Sequence, residues 1–119
     1  MDLTQPLKDL VGKVPGAVGA VLIDNEGDAI THFSPTNHNE RIRLIAAYQR
    51  VWLSDCITLA KQMRLGNLDH MIQRYESGLV IVKALKDKYA LVLIGERGMI
   101  LGQGLFHLDE IGKVINDDL

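Results

Sequence analysis

The sequence lacks the features that mark several common classes of protein. Its single cysteine, Cys56, can form no disulfide within the chain, which fits a reducing compartment. Its 13 basic and 15 acidic residues give a formal net charge of −2, so there is no general attraction to nucleic acid or to anionic membranes. The longest apolar runs, such as residues 89–94, have the length of a strand and are far too short to span a bilayer. We therefore expect a cytoplasmic protein with no nucleic-acid partner and no membrane insertion.

Side chains that serve in metal or nucleophile sites are present but scattered. His32, His38, His70 and His107 fall in separate predicted elements, without the i, i+4 spacing of a helical zinc site. Cys56 has no histidine nearby in the sequence and lies on the apolar side of a predicted helix, where a buried, unreactive thiol is the usual case. No metal site and no catalytic residue is predicted.

A glycine-rich segment at residues 95–104 follows a predicted strand and enters a helix, as phosphate-binding loops do. It has neither the Gly-Lys-Ser/Thr of a P-loop nor the third glycine of a G-x-G-x-x-G motif. We interpret Gly95 and Gly98 as the turn, and Gly102 and Gly104 as positions that let the last helix lie close to a sheet. We expect no cofactor and no enzymatic activity.

Apolar periodicity divides the 119 residues into eight elements of one predicted domain, residues 1–119. The connections between consecutive strands are short, which forces antiparallel pairing. We therefore predict an α+β fold of order α-β-β-α-β-β-β-α, a five-stranded antiparallel sheet between helices. The predicted elements are a helix to residue 14, strands at 17–23 and 28–33, a helix at 40–65, strands at 68–76, 79–85 and 89–95, and a helix from about Met99.

Local signals set the ends of these elements. Thr4 is the predicted cap of the first helix, and Asn39 the predicted cap of the long helix. Residues 24–27 are predicted to form a hairpin turn in which Gly27 takes a positive φ. The acidic segment at residues 24–28 is too short for a calcium-binding loop. Residues 116–118 read as a solvated tail.

The long helix is apolar around more of its circumference than one buried face needs. Ile45, Trp52, Cys56, Leu59 and Met63 cluster within about 60° on a helical wheel. Further apolar residues flank this centre on both sides, and the whole arc is roughly twice the ~100° of an ordinary surface helix. One interpretation is a helix sunk in a large core, but a chain of this size has little core to supply. We favour a second burial surface that a partner covers. The flanking residues are Ile42, Leu53 and Ala60 on one side and Leu44, Tyr48 and Val51 on the other.

The polar strip of the same helix is narrow and basic. It holds Arg43, Arg50, Ser54 and Lys61, with Ala47 beside them. One interpretation is a solvated face, and the other is a contact strip for an acidic partner surface.

The predicted strand at residues 68–76 is long for an edge strand and contains no proline. An exposed edge of that kind favours pairing with another chain.

These elements together resemble the roadblock / dynein light-chain family over nearly the whole chain. The resemblance implies a roadblock/profilin-like sandwich that forms a homodimer, in which the long helices pack side by side and the third strands join two sheets into one. The last helix departs from the family because its start, from Met99 to Phe106, is unusually apolar and contains glycine. Two alternatives remain for its outer face, exposure to solvent or cover by another partner. The residues that carry the resemblance are Val14-Pro-Gly-Ala-Val-Gly-Ala-Val-Leu-Ile-Asp24 with Glu26-Gly27-Asp28, Ile45-Ala-Ala-Tyr48, Leu65-Gly-Asn-Leu-Asp69 and Tyr89-Ala-Leu-Val-Leu-Ile-Gly95.

For prokaryotic members, the resemblance implies regulation or scaffolding of Ras-like small GTPases. Some act as GTPase-activating dimers that supply no arginine finger and instead hold the GTPase switch segments in a competent arrangement. Eukaryotic relatives are non-enzymatic subunits of dynein and of membrane-tethered signalling scaffolds. We therefore expect a homodimeric regulator of a Ras-like small GTPase. The alternatives are a structural adaptor with no effect on nucleotide turnover and, less favoured, a small-molecule sensor.

Two sets of surface residues follow from this expectation. The predicted dimer interface consists of Leu44, Tyr48, Val51, Asp55, Met71, Ile72 and Gln73. The predicted GTPase-contact strip consists of Arg43, Ala47, Arg50, Ser54 and Lys61.

Overall fold

Three helices and five strands are present in the structure, a computed structural model that describes residues 2–119. Their order is α-β-β-α-β-β-β-α, which confirms the predicted fold class. The elements are α1 (Thr4–Lys13), β1 (Ala17–Ile23), β2 (Ala29–Phe33), α2 (Asn39–Gln62), β3 (His70–Arg74), β4 (Gly78–Ala84), β5 (Ala90–Glu96) and α3 (Leu101–Asp118).

The five strands form one antiparallel sheet in the order β2-β1-β5-β4-β3. The central strand β5 is buried from Ala90 to Gly95, as its continuous apolar sequence predicts for a strand that is covered on both faces. The two edges differ. In β2 the register shifts between Leu22 and Ile23 of its neighbour, so that Ile30 is an extra, exposed residue, whereas β3 pairs with β4 without irregularity. The bulge makes β2 the poorer template for a further strand.

The sheet separates two apolar cores. On one face α1 and α3 pack on the sheet through side chains such as Leu7, Leu10, Leu108 and Ile115. On the other face α2 packs alone, with Ile42 and its neighbours against β1, β4 and β5. Each large side chain buried in this way stabilises the fold by about 1.5–3 kcal/mol relative to leaving it exposed. Within residues 2–119 no helix has both the length and the apolarity needed to cross a bilayer.

Two glycines let α3 lie close to the sheet. A β-carbon on Gly104 would be 2.9 Å from Ile81 Cδ1, and one on Gly112 would be 2.9 Å from Lys83 Cδ. The prediction for Gly104 is therefore confirmed. The prediction for Gly102 is wrong, because an added β-carbon there would meet nothing within 4 Å. Gly98 lies in a turn as expected, but Gly95 belongs to β5, where it packs against Met99.

Neither of the two predicted helix caps is found in the structure. The Thr4 amide donates to Asp2 Oδ1 at 2.8 Å, while the Thr4 hydroxyl bonds to the Thr31 hydroxyl. Asp2 thus serves the role expected of Thr4, because its carboxylate reaches a free amide of the first turn. Asn39 is already the first residue of α2, and its side chain is 3.2 Å from His32 Nδ1 instead of capping the helix.

The helix ends also differ from the prediction. α2 stops at Gln62 and not at residue 65, because Arg64 and Gly66 take positive φ angles of 55° and 86°. α3 continues to Asp118, so residues 116–118 are helical. Asn116 anchors that last turn, since its Oδ1 accepts a hydrogen bond from the Lys86 amide at 3.0 Å.

Candidate partner-binding surface

The side of α2 that faces the sheet is offset from the centre of its apolar arc. Ile42, Ala46 and Leu53 are buried, whereas Trp52 and Leu59 at the predicted centre are 43% and 53% exposed. On a wheel of 100° per residue, the buried side lies about 70° away from the predicted centre. The small Ala46 lets the helix approach the sheet on that side. The apolar arc therefore covers two surfaces, one turned to the sheet and one turned to solvent.

The solvent-facing part of that arc contains the helical residues of the predicted dimer interface. Leu44, Tyr48 and Val51 are 60%, 59% and 60% exposed, and Asp55 beside them is exposed too. Tyr48 also stacks on Trp52, with ring centroids 6.4 Å apart. Contiguous exposed apolar surface of this kind is characteristic of an interaction site. We call the exposed surface formed by Leu44, Tyr48, Val51, Asp55, Leu59 and Met63 the α2 face.

Next to the α2 face, the sheet floor is left partly uncovered. A groove with a volume of about 490 Å³ runs between the N-terminal half of α2 and the adjoining ends of β4 and β5. Aliphatic and aromatic side chains predominate in its lining, and a few polar groups join them. We call this the α2 groove, and its lining includes Arg41, Ile45, Tyr48, Gln49, Trp52, Tyr75, Ser77, Val80, Ile94 and Glu96.

β3 is an edge strand that pairs with β4 on one side. It spans His70–Arg74, so the predicted range of residues 68–76 was too long. Ile72, from the predicted interface, is 44% exposed and pairs with Ile81, which places it on the face of α1 and α3. The outer edge of this strand offers backbone donors and acceptors to another strand.

The other two predicted interface residues of β3 contact α2 directly. The Gln73 and Gln49 amides exchange two hydrogen bonds, of 3.0 and 2.8 Å, which satisfies the buried Gln49. Met71 Sδ lies 3.8 Å from Cys56 Sγ. Cys56 is therefore half-buried against the edge strand, not at a fully buried helix centre as predicted. These contacts make β3 and the α2 face one continuous surface.

On the opposite face of the sheet, an ionic cluster ties β3 and β4 to α3. Asp109 Oδ1 lies 2.6 Å from His70 Nε2 and 3.1 Å from Lys83 Nζ. Burial opposes ionisation of this carboxyl, but the hydrogen bonds from His70 and Lys83 outweigh burial and hold the pKa of Asp109 below its ordinary value. The cluster fixes the start of the edge strand. It could not be predicted from local patterns, because its members lie up to 39 positions apart.

Only part of the predicted GTPase-contact strip is exposed to solvent. Arg43, Ala47, Ser54 and Lys61 are exposed, whereas Arg50 is 8% exposed. The expectation that Arg50 belongs to an exposed strip is therefore corrected. Arg50 is buried because the turn between β1 and β2 and the turn between β4 and β5 both pack against it.

Arg50 instead ties α2 to those turns. Its Nη1 donates to the Lys88 carbonyl oxygen at 2.7 Å, and its Nε donates to Ser54 Oγ at 3.3 Å. Burial lowers the pKa of Arg50, and the attraction of Asp24 opposes that shift. Gly27, whose φ is +89° as predicted, lies against Ala47 and Arg50 and leaves no room there for a side chain.

Between residues 2 and 119, no three His, Cys, Asp or Glu side chains gather closely enough to hold a metal ion. The acidic segment after β1 is a turn: Asp24 Oδ1 accepts the amides of Glu26 and Asp28 at 2.9 and 3.0 Å. What the arrangement offers is an apolar helix face, a groove and a strand edge.

Solved structures with the same architecture identify the fold. A roadblock/LC7 domain from Streptomyces avermitilis superposes with a TM-score of 0.89 at 17% identity, covering 99% of this chain and 98% of that one. MglB from Myxococcus xanthus gives 0.85 at 14% identity, covering 98% and 93%. MglC from Myxococcus xanthus gives 0.75 at 18% identity, covering all of both chains. No protein-family model and no curated protein matches the sequence. The chain therefore has the fold of a roadblock/LC7 domain, as its resemblance to that family implies.

Proposed function

We propose that this protein is a homodimer that binds a Ras-like small GTPase and regulates it. The observation that carries the proposal is the continuous surface formed by the α2 face and the free edge of β3. A two-fold axis beside β3 pairs that strand with its own copy and places the two α2 helices on the same side of the joined sheet.

The α2 face is large enough to stabilise such a dimer. Leu44, Tyr48, Val51 and Leu59 are each more than half exposed in the isolated chain. Complete burial of a large apolar side chain stabilises by about 1.5–3 kcal/mol, so removing the remaining exposed half of each gives roughly 1 kcal/mol. Two copies of each residue contribute, and the strand pairing adds hydrogen bonds.

The GTPase part of the proposal rests on the resemblance to prokaryotic roadblock proteins and on a second surface of α2. Arg43, Ala47, Ser54 and Lys61 lie roughly 100° or more around the helix from Tyr48, away from the groove. A GTPase can therefore dock on this strip while the dimer stays intact. Arg43 and Lys61 add positive charge that steers an acidic switch region and fixes its orientation more than it adds affinity.

The regulation we propose is a shift of the GTPase toward one arrangement of its switch segments. Binding that arrangement more tightly than the other is sufficient to change the rate of hydrolysis. In this mechanism the protein supplies position and no reacting group of its own.

The test is GTP hydrolysis by a candidate Ras-like GTPase with and without this protein, with binding measured in the GDP and GTP-analogue states. Regulation predicts tighter binding to one nucleotide state and a changed hydrolysis rate. Binding with equal affinity in both states and an unchanged rate would support a structural adaptor instead. Absence of binding to any such GTPase would overturn the proposal.

Matched charge reversals locate the contact. Arg43→Glu with Lys61→Glu should weaken GTPase binding and reduce its salt dependence, while leaving the dimer intact. Lys113→Glu, on the exposed side of α3, is the control and should change neither. Equal binding by all variants would move the contact away from α2.

A further inference from the structure

The connection between β4 and β5 has a backbone conformation that its own sequence disfavours. Asp87 and Lys88 are consecutive residues with positive φ angles of 57° and 64°, and the Tyr89 amide donates to the Lys86 carbonyl oxygen at 3.2 Å. Positive φ at both central positions is characteristic of a type I′ turn, which favours glycine at the second position. A lysine there costs free energy, because its β-carbon is crowded in the left-handed region. We call residues 85–89 the β4–β5 turn.

Helices on both faces of the sheet bond to this turn. On one face, Arg50 of α2 donates through Nη1 to the Lys88 carbonyl oxygen at 2.7 Å. On the other face, Asn116 of α3 accepts the Lys86 amide through Oδ1 at 3.0 Å. The Arg50 bond is charge-assisted and is made to the residue with the disfavoured φ, so it offsets the cost of that conformation. The β4–β5 turn therefore connects α2 with the last turn of α3 around the end of the sheet.

We propose that the β4–β5 turn has two states, and that Arg50 selects the one in which the turn is bonded to Asn116. While Arg50 donates to Lys88, the positive φ angles are retained and the Lys86 amide points to Asn116. When Arg50 is withdrawn, the turn relaxes, the amide leaves Asn116 and the last turn of α3 loosens. The inference goes beyond the proposed function, because it concerns a single chain and needs neither a GTPase nor a second copy.

The exposed side of α2 reaches this turn through Ser54. The buried Arg50 side chain donates from Nε to Ser54 Oγ at 3.3 Å as well as to Lys88. The hydroxyl proton of Ser54 is not used in that bond and can be donated to a molecule bound at the surface. Such a molecule polarises the hydroxyl and strengthens the bond that holds Arg50 in place. Contacts made on α2 are in this way coupled to the end of α3.

Backbone amide order parameters from NMR relaxation of the full-length chain test the two states. Arg50→Met removes the donors and keeps a long, unbranched side chain. The order parameters of residues 86–88 and 116–118 should fall from the roughly 0.85 of a rigid backbone toward 0.6 or below, while those of β5 stay high. Arg43→Met, at an exposed position of the same helix, is the control and should leave all of them unchanged.

A second substitution distinguishes a change of state from the simple loss of a contact. Glycine adopts positive φ at little cost, so Lys88→Gly should hold the turn in its bonded state without help from Arg50. The Arg50→Met/Lys88→Gly chain should therefore regain the order parameters of the wild type at both places. Arg50→Met/Lys86→Gly is the matched control and should not regain them, because φ is not positive at Lys86.

The α3 end of the connection gives an independent measurement that leaves Arg50 intact. Asn116→Ala removes the acceptor of the Lys86 amide and should lower the order parameters of residues 86–88. Asn116→Asp keeps a side-chain oxygen at the same place and should preserve them.

Three results would overturn the inference. The first is an Arg50→Met chain whose β4–β5 turn and α3 end stay as rigid as in the wild type. The second is a loss of rigidity that Lys88→Gly does not reverse, and the third is an unchanged turn in the Asn116→Ala chain. None of them bears on the proposed homodimer or on GTPase binding, because each measurement concerns contacts within one chain.

Discussion

At the scale of single residues, Arg43 and Arg50 show how one helix places similar side chains in opposite environments. Arg43 is exposed, whereas Arg50 is buried and donates to the Lys88 carbonyl and to Ser54. We expect Arg50→Glu to lower the free energy of unfolding by about 2 kcal/mol or more, since hydrogen bonds to charged groups contribute about 1.5–3 kcal/mol. Arg43→Glu should change it by less than about 0.5 kcal/mol. Urea unfolding measures both, and equal stabilities would contradict the burial of Arg50.

A pair of glycines in α3 provides a second comparison at this scale. Gly102→Ala adds a β-carbon in open space and should stabilise the protein by roughly 0.5 kcal/mol through better helix propensity. Gly104→Ala places the same atom 2.9 Å from Ile81 Cδ1. Overpacking there costs about 1–3 kcal/mol, so the Gly104 variant should be the less stable one. If both variants melt at the same temperature, α3 does not lie as close to the sheet as described.

Residues whose burial depends on distant partners could not be predicted from the sequence. Gln49 is buried because Gln73, 24 positions later, satisfies its amide. Arg50 is buried because two turns close over it, and Lys88 is 38 positions away. Helical periodicity records how much of a side chain's neighbourhood is apolar, but not which partner supplies a hydrogen bond. The residues of the basic strip therefore lie on α2 as predicted, but the prediction that Arg50 is exposed was wrong.

At the scale of elements, the width of the apolar arc on α2 could be predicted but its orientation could not. The arc sums side chains turned to the sheet, such as Ile42 and Leu53, with side chains turned to solvent, such as Leu44 and Val51. The centre of the apolar arc therefore coincides neither with the side that faces the sheet nor with the side that faces solvent. The existence of β3 was predictable in the same way, while its short length was not, because its ends depend on pairing with β4.

The edge strand gives the prediction that belongs to this scale. In a single chain, alternate amides of β3 point away from β4 and are free to exchange with solvent. In the homodimer we propose, the same amides bond to the partner's β3. Hydrogen exchange should therefore show protection at every amide of His70–Arg74 in the wild type, and loss at alternate positions in the Leu44→Asp variant. Exchange of alternate wild-type amides at the rate of the chain termini would mean that the strand is a free edge.

At the scale of the whole molecule, the order of the elements and the antiparallel pairing of consecutive strands followed from the sequence, because each signal was local and consistent with the rest. The pairing of β1 with β5 had no such local signal. The apolar run of β5 required cover on both faces, and the short connections required antiparallel neighbours. What the sequence left open was which surfaces a second copy covers. In the structure, the α2 face, the α2 groove and the β3 edge adjoin one another and form one contiguous exposed surface.

Sedimentation equilibrium shows whether the α2 face and the β3 edge join two copies of the chain, as we propose. Wild-type protein at about 10 μM should have a mass of twice 13.2 kDa, since standard interfaces bury about 800 Å² per partner and dissociate at or below micromolar concentrations. Leu44→Asp should lower the mass toward that of one chain, and Arg43→Asp, one residue away on the other side of α2, should not. A wild-type mass of 13.2 kDa at that concentration would mean that the chain is a monomer and that the proposed homodimer does not form.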